Sequence, residues 1–244
     1  MLLRYCIKFA YKGTNYHGWQ EQPNDVSVQS VLTEALCRIL RCHVELTGAG
    51  RTDAGVHAKC MFAHFDLENG LEDLPLITNK LNSILPNDIA VDKVFPVADD
   101  FHARFSAKSR TYNYFVTTKK VPFMTEFAAR FTFPLNMDAM NEAARKLLDY
   151  TDFTSFSKVH TDVKTNNCTI YHAQWEPTEY GMVFTIKANR FLRNMVRAIV
   201  GTLIEVGKGK LTVDQFCDII EKKDRCAAGM SVPAQGLFLV DVEY

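Results

Sequence analysis

Three glycines within eight positions mark residues 48–55, and the two charged side chains between them, Arg51 and Asp53, are the best candidates for chemistry. Glycines at this density disfavour helix and strand, and they allow positive φ angles or the close approach of another backbone. We therefore expect a rigid loop that displays Arg51 and Asp53 two residues apart. A carboxylate held in such a loop can attack a carbon atom or accept a proton.

Two nucleotide-binding patterns resemble this loop, and the residues present exclude both. The fingerprint G-x-G-x-x-G would place its third glycine at Asp53, whose charge would lie next to a pyrophosphate. The Walker pattern lacks its Gly-Lys-Ser/Thr ending. A surface turn, in which Asp53 caps a local amide and Arg51 is solvated, is the remaining alternative. It is weakened because residues 48–58 combine three glycines with Arg, Asp and His, more than a plain turn needs.

The composition indicates a globular chain of balanced charge. Of 244 residues, 47% are hydrophobic, and 28 Lys and Arg are matched by 28 Asp and Glu. This balance counts mildly against a nucleic-acid binder, although binding depends on the local field. No run approaches the ~20 apolar residues that cross a bilayer, and the N-terminus turns polar too soon for a signal peptide. The seven cysteines form no C-x-x-C pair, so no metal site is predicted and a cytoplasmic location is expected.

Hydrophobic periodicity in the first half of the chain predicts the order β-α-β-β-α-β. Strands are predicted at 3–11, 43–48, 58–66 and 88–97, and helices at 28–40 and 73–84. Ser27 occupies the N-cap position of the first helix. The glycine-rich loop connects the second and third of these strands.

The second half repeats this order, with one further helix. Strands are predicted at 110–118, 167–176, 181–189 and 237–243, and helices at 137–150, 191–206 and 212–222. Two such copies resemble two ferredoxin-like split-βαβ units, an α+β fold whose mainly antiparallel sheets flank a central active-site cleft. We expect an N-terminal domain, residues 1–104, that carries the aspartate loop, and a C-terminal domain, residues 105–244, that carries the tyrosine and arginine motifs described next.

Five separated segments resemble the tRNA pseudouridine synthase A (TruA) family, whose fold the two predicted units would then share. The family's signature aspartate falls on Asp53 within Gly48–Ala58, and its active-site tyrosine falls on Tyr112. Its basic residue falls on Arg197 and an active-site aliphatic residue on Leu237. The segments that carry the resemblance are 48–58, 101–107 with 110–114, 152–156, 188–201 and 233–239. They occur in order across nearly the whole chain.

The resemblance implies a cofactor-free isomerase that needs no metal and acts, as a homodimer, on uridines 38, 39 and 40 in the anticodon stem-loop of tRNA. The target uridine would leave the stack, lose its bond to ribose C1′ and be rejoined through C5. Asp53 would assist the cleavage as a nucleophile or as a base, and the sequence leaves both roles open. Arg197 would pair with Asp53 and keep it ionised. Tyr112 would stack on the base, with its hydroxyl a candidate acceptor for the C5 proton.

Further residues are predicted to bind the RNA. Arg51 could support the flipped nucleotide, Leu237 would form a wall of the base pocket, and Arg190 and Arg193 would share a helical stripe with Arg197. For Arg190 and Arg193 a solvated face is equally consistent. Other cations expected to face RNA are Arg104, Lys108, Arg110, Lys119, Lys120, Lys158 and Lys164.

Several of these positions also have purely structural interpretations. Tyr114, two residues from Tyr112 on the same strand, is expected to pack in the core. Leu237 would look the same in any core strand, and His57 is expected to be a packed or hydrogen-bonded residue.

Two other classes of function remain as alternatives, an RNA-binding module without chemistry and a nucleotide-binding enzyme. The intact set of Asp53, Tyr112 and Arg197 argues against the first, and the failed fingerprints argue against the second.

Overall fold

A computed structural model describes residues 2–158 and 165–244, and it divides the chain into two compact units. The first unit comprises Met1–Lys108 and Leu239–Tyr244, and the second comprises Ser109–Phe238. The C-terminal residues therefore return to the first unit, whereas the sequence pattern divides the chain once, at 104/105. Lys164, one of the cations expected to face RNA, lies outside the described residues.

The first unit contains β-strands of one sheet and two helices. Its elements are β1 (Leu3–Tyr11), α1 (Val28–Leu40), β2 (Thr47–Gly48), β3 (His57–Leu67), α2 (Leu74–Ile84), β4 (Ile89–Pro96) and the part of β9 (Leu237–Glu243) from Leu239 on. The strand order is β4-β1-β3-β9, and β2 pairs with β3. Phe9, Phe65 and Trp19 are fully buried in this unit.

The second unit also combines β-strands with helices. Its elements are β5 (Ser109–Thr117), β6 (Ala129–Arg130), α3 (Met137–Lys146), β7 (Ile170–Thr178), β8 (Gly181–Ala188), α4 (Met195–Gly207) and α5 (Val213–Glu221). The strand order is β5-β8-β7, both pairs antiparallel, and the two-residue β6 pairs with β5 in parallel. The prediction of an α+β chain with mainly antiparallel pairing is therefore confirmed.

The helices begin where local chemistry satisfies their first amides. At α1 the hydroxyl of Ser27 accepts a hydrogen bond from the amide of Ser30 at 3.0 Å. This N-cap confirms the start predicted from Ser27. Thr212 caps α5 in the same way through the amide of Gln215. No helix among residues 2–158 and 165–244 is long and apolar enough to span a bilayer.

The strand predicted at 43–48 is wrong over most of its length, because only Thr47 and Gly48 pair with β3. Side chains of α1 bond the backbone groups that a neighbouring strand would need. The amide of Val44 donates to Sγ of Cys37 at 3.3 Å, and the carbonyl of Leu46 accepts from Nε2 of Gln29 at 2.8 Å.

The helix predicted at 191–206 begins four residues late. Asn194 has a φ of 65°, in the left-handed region, so the regular helix starts only at Met195. Arg190 and Arg193 precede that point, and their predicted place on one helical stripe with Arg197 is therefore wrong. The helix predicted at 137–150 likewise ends early, since Leu147–Asp149 form a 3-10 turn.

Candidate functional site

The loop that carries Asp53 leaves the sheet between β2 and β3. The last paired residue, Gly48, faces Ala63, and the amide of Ala49 then donates to the carbonyl of Phe62 at 2.8 Å. A side chain at position 48 would press against the indole of Trp19, which is buried there. Glycine is needed at this position because an aromatic ring occupies the space of its side chain.

Asp53 itself begins a tight turn. The amide of Val56 donates to the carbonyl of Asp53 at 3.2 Å, and Gly55 between them has a φ of 78°. A positive φ at the third position of a four-residue turn favours glycine. The amide of Gly55 also donates to the carbonyl of Tyr16 at 3.3 Å. Asp53 is half-buried, and its backbone is anchored on its C-terminal side.

The residue before Asp53 is anchored as well. The hydroxyl of Thr52 lies 2.9 Å from the phenol oxygen of Tyr11 and accepts a hydrogen bond from the amide of Trp19 at 3.1 Å. Gly18 has a φ of 85°, and a Cβ at that position would overlap the carbonyl of Thr52. Segment 13–19 therefore supports the aspartate loop. The sequence showed only that this segment contains glycines.

His57 has the structural role expected of it. Its side chain is 1% exposed, and its Nδ1 accepts a hydrogen bond from the amide of Gly13 at 3.0 Å. The bond requires Nδ1 to be unprotonated. His57 therefore ties the start of β3 to the supporting segment.

A second buried histidine, His64, is not predicted from the sequence. His64 on β3 is 6% exposed, and its Nδ1 accepts from the amide of Ala103 at 3.2 Å. Burial, followed by the nearby charge of Arg4, lowers the pKa of His64 to about 4. The residue is therefore neutral at pH 7. The one indication in the sequence of a contact between these segments is that β3 contains His64 and segment 101–107 contains His102.

In the second unit, Tyr112 lies on β5 opposite Ile186. Its half-buried ring meets Phe191 edge-on, with centroids 5.1 Å apart and planes at 89°. Tyr114 is fully buried, as predicted, and donates its hydroxyl to the carbonyl of Pro233 at 2.8 Å. Burial raises the pKa of Tyr114 well above its usual range. The two tyrosines therefore differ in exposure although they lie on one strand.

Arg197 lies in the first turn of α4 and is fixed by the segment before β9. Its Nε donates to the carbonyl of Val232 at 2.8 Å, and its own carbonyl accepts from the amide of Val232 at 3.2 Å. The segment packs directly on the helix at Gly201, where a Cβ would overlap the carbonyl of Met230. A hydrogen bond to a backbone carbonyl therefore helps to orient the guanidinium group of Arg197.

The remaining predicted site residues have varied surroundings. Arg51 and Arg193 are exposed, and Arg190 is half-buried. Arg110 donates from Nη1 to the carbonyl of Asn189 at 3.0 Å, and Leu237 is 6% exposed at the start of β9. Arg51 and Asp53 share one loop of the first unit, while Arg110 and Tyr112 share one strand of the second. Within residues 2–158 and 165–244, no three His, Cys, Asp or Glu side chains are grouped so as to hold a metal ion.

Comparison with known proteins shows the family to which the chain belongs. Residues 7–106 and 143–244 match the family model described as tRNA pseudouridine synthase.

The chain belongs to the tRNA pseudouridine synthase family.

Three relatives named tRNA pseudouridine synthase A show how far this likeness extends. The proteins of Parabacteroides distasonis and Bacteroides fragilis are each 59% identical, over 99% of this chain and 96% of their own length. The protein of Thermoanaerobacter sp. strain X514 is 42% identical, over 98% of both chains. Membership of the family makes this chain an isomerase that acts on uridine in tRNA.

The matched ranges include Asp53, Arg197 and Leu237. Tyr112 and Arg110 lie between the two ranges, in a part of the chain that the near full-length relatives cover.

Proposed function

We propose that this chain converts uridines 38, 39 and 40 of the tRNA anticodon stem-loop to pseudouridine, with Asp53 as the group that acts on the ribose. The observation that carries the proposal is the presentation of one half-buried aspartate, Asp53, by a loop anchored at Thr52 and at Gly55. A surface that only binds RNA has no use for such a carboxylate, because it repels phosphate. Family membership supplies the reaction in which it has one.

The reaction is an isomerisation without net oxidation or reduction. The target uridine leaves the stack, the bond from N1 to C1′ breaks, and the uracil turns so that C5 bonds to C1′. The proton on C5 is released, and N1 ends with a proton. Asp53 either attacks C1′ and forms a covalent intermediate or removes a proton from C2′. Deuterium at C2′ slows the reaction markedly only in the second case.

Arg197 and Tyr112 complete the proposed chemistry. Arg197 pairs with Asp53 and keeps the carboxylate ionised when RNA excludes water. The bond from its Nε to Val232 supports this role, because it orients the guanidinium before the substrate arrives. Tyr112 stacks on the detached uracil and offers its oxygen to the C5 proton, and its contact with Phe191 orients the ring. Leu237 forms an apolar wall of the base pocket.

Four arginines are proposed to bind the RNA itself, namely Arg51, Arg110, Arg190 and Arg193. Arg51 and Arg193 are exposed and therefore accessible to phosphate groups. A guanidinium group is weakly hydrated, so it loses little hydration energy when it binds a phosphate. We also propose that each unit is a ferredoxin-like split-βαβ fold and that the chain acts as a homodimer in the cytoplasm.

The proposal is tested with the purified chain and unmodified tRNA transcripts that carry uridine at positions 38, 39 or 40. Pseudouridine is mapped base by base, and transcripts with cytidine at these positions serve as controls. Pseudouridine confined to the three positions supports the proposal. Tight binding without product would show an RNA-binding module instead, and product elsewhere in the tRNA would overturn the assigned site.

A further inference from the structure

A polar cavity of about 270 Å³ lies in the first unit beside the aspartate loop. Arg51 and Gly50 line it from the loop, Thr47 from β2, and Arg104 from the segment that follows β4. Gln20 and Gln29 contribute amide groups to its wall. Its volume suits a single nucleotide, being close to the lower end of the range for small-ligand sites.

The turn that carries Arg104 is held by imidazole nitrogens. The amides of Arg104 and Phe105 donate to Nδ1 of His102 at 3.2 and 3.3 Å, and the amide of Ala103 donates to Nδ1 of His64 at 3.2 Å. The amide of Ser106 closes the turn on the carbonyl of His102 at 2.8 Å. Three successive amides are therefore satisfied by two neutral histidines, which fixes the backbone of Arg104.

The side chains of Gln20 and Gln29, which also line the cavity, are held by hydrogen bonds as well. Oε1 of Gln29 accepts from Nε2 of Gln20 at 2.8 Å and from the amide of Glu21 at 2.9 Å. Nε2 of Gln29 donates to the carbonyl of Leu46 at 2.8 Å. A ligand therefore meets a wall that is already ordered, which lowers the entropy cost of binding.

An exposed aromatic ring contacts Arg104, one of the residues that line the cavity. Phe105 is 74% exposed, and the guanidinium carbon of Arg104 lies 5.4 Å from the centroid of its ring. Exposed rings beside cationic groups are typical of sites that stack an unpaired base while a cation holds its phosphate.

We propose that this cavity binds one tRNA nucleotide other than the target uridine, with its phosphate between Arg51 and Arg104 and a base stacked on Phe105. The inference rests on the proposed function for the identity of the RNA. Two guanidinium groups in the lining favour an anionic ligand, and the volume admits more than a phosphate alone. The site thus fixes the register of the RNA strand relative to Asp53, without taking part in the chemistry.

Arg104→Gln tests the charge requirement, with Arg38→Gln as the matched control, since Arg38 is an exposed arginine on α1 outside the cavity. The dissociation constant for unmodified tRNA is measured at several salt concentrations. Loss of one phosphate contact should weaken binding about tenfold and reduce the slope of log K against log salt by roughly 0.7–0.9.

Gly50→Leu tests the cavity without removing charge. A Cβ at Gly50 meets nothing within 4 Å, so the folded chain has room for Gly50→Ala, and we expect the longer side chain of Gly50→Leu to fill part of the cavity that Gly50 lines. We expect binding about tenfold weaker for Gly50→Leu, a smaller loss for Gly50→Ala, and unchanged thermal unfolding for both. The inference is overturned if Arg104→Gln behaves like Arg38→Gln, or if Gly50→Leu binds tRNA like the original chain. Absence of product from the unmodified chain would instead refute the proposed function, and the binding measurements would still decide the cavity.

Discussion

The hydroxyl of Thr52 accepts a hydrogen bond from the backbone amide of Trp19 at 3.1 Å, and this contact fixes the residue immediately before Asp53. The same hydroxyl lies 2.9 Å from the phenol oxygen of Tyr11. One side chain therefore joins β1, the segment that follows it and the aspartate loop. The position of the carboxylate depends on a contact between residues 33 apart in the chain.

Replacing Thr52 by valine should reduce turnover while leaving tRNA binding nearly unchanged. Valine has a similar shape but no acceptor, so the amide of Trp19 loses its partner at a cost of about 1–3 kcal/mol. We expect kcat to fall at least about tenfold with KM within about threefold, because a small misplacement of a reacting group costs rate before it costs binding. Thr52→Ser should restore most of the rate. Equal losses for Val and Ser would contradict the positioning role.

Gly18→Ala should disrupt the aspartate loop, whereas Gly209→Ala should be tolerated. Both glycines have a positive φ, 85° and 72°, so both substitutions carry a similar strain of about 1–2 kcal/mol. Only at Gly18 would the new Cβ also overlap a backbone carbonyl, that of Thr52. Unfolding free energies from urea titrations should differ by about 2 kcal/mol between the two variants. The supporting role of segment 13–19 is refuted if their stabilities and rates are equal.

Tyr112 and Tyr114 should respond differently to substitution. Tyr112→Ala should lower kcat/KM by the loss of base stacking, about 1–3 kcal/mol, and Tyr112→Phe should retain the stacking part. Tyr114→Phe removes a buried hydrogen bond to Pro233 and should lower the free energy of unfolding by about 1 kcal/mol, with activity within about threefold. Steady-state kinetics and urea unfolding of the same preparations check both statements. An active Tyr112→Ala would show that the ring only packs.

The stability of the chain should fall between pH 6.5 and about 4. Burial lowers the pKa of His64 to about 4 and also lowers that of His102, so the unfolded chain binds more protons throughout this window. The contribution of His64 to stability is fully present well above pH 6.5 and is lost on acidification, by roughly 3 kcal/mol. His64→Asn should flatten this pH dependence, because an amide oxygen can accept from Ala103 without titrating. His43→Asn is the control, since His43 is 81% exposed. If the pH dependence of stability is unchanged in His64→Asn, its assignment to His64 is refuted.

The sequence predicts those parts of the fold and site that depend on local spacing. The glycines around Asp53 were interpretable because turns and close approaches need them, and Tyr112 and Tyr114 lie on a strand whose alternation is plain. The anchoring of Thr52 by Trp19 was not predictable, since it depends on how distant segments pack. The same holds for β2, whose expected backbone pairing is replaced by bonds from Gln29 and Cys37.

Single residues caused the other departures. Asn194 adopts a left-handed conformation that delays α4, and periodicity alone carries no information on such a residue. The hydrogen bond from the amide of Ala103 to His64 joins a strand to a segment 39 residues away. The sequence of either segment alone therefore does not predict it. Hydrophobic periodicity locates elements well when one face is buried. It locates side-chain to backbone contacts poorly, because these depend on tertiary distances.

The role of Asp53 is tested most directly by the rate of pseudouridine formation by Asp53→Asn on unmodified tRNA. Asparagine has nearly the same shape as aspartate but can neither attack C1′ nor accept a proton. We expect the single-turnover rate to fall at least about 1,000-fold, with the dissociation constant for tRNA within about threefold and unfolding unchanged. Asp99→Asn, an exposed aspartate outside the loop, should keep the original rate. Pseudouridine formed by Asp53→Asn at the rate of Asp99→Asn would contradict the central role of Asp53.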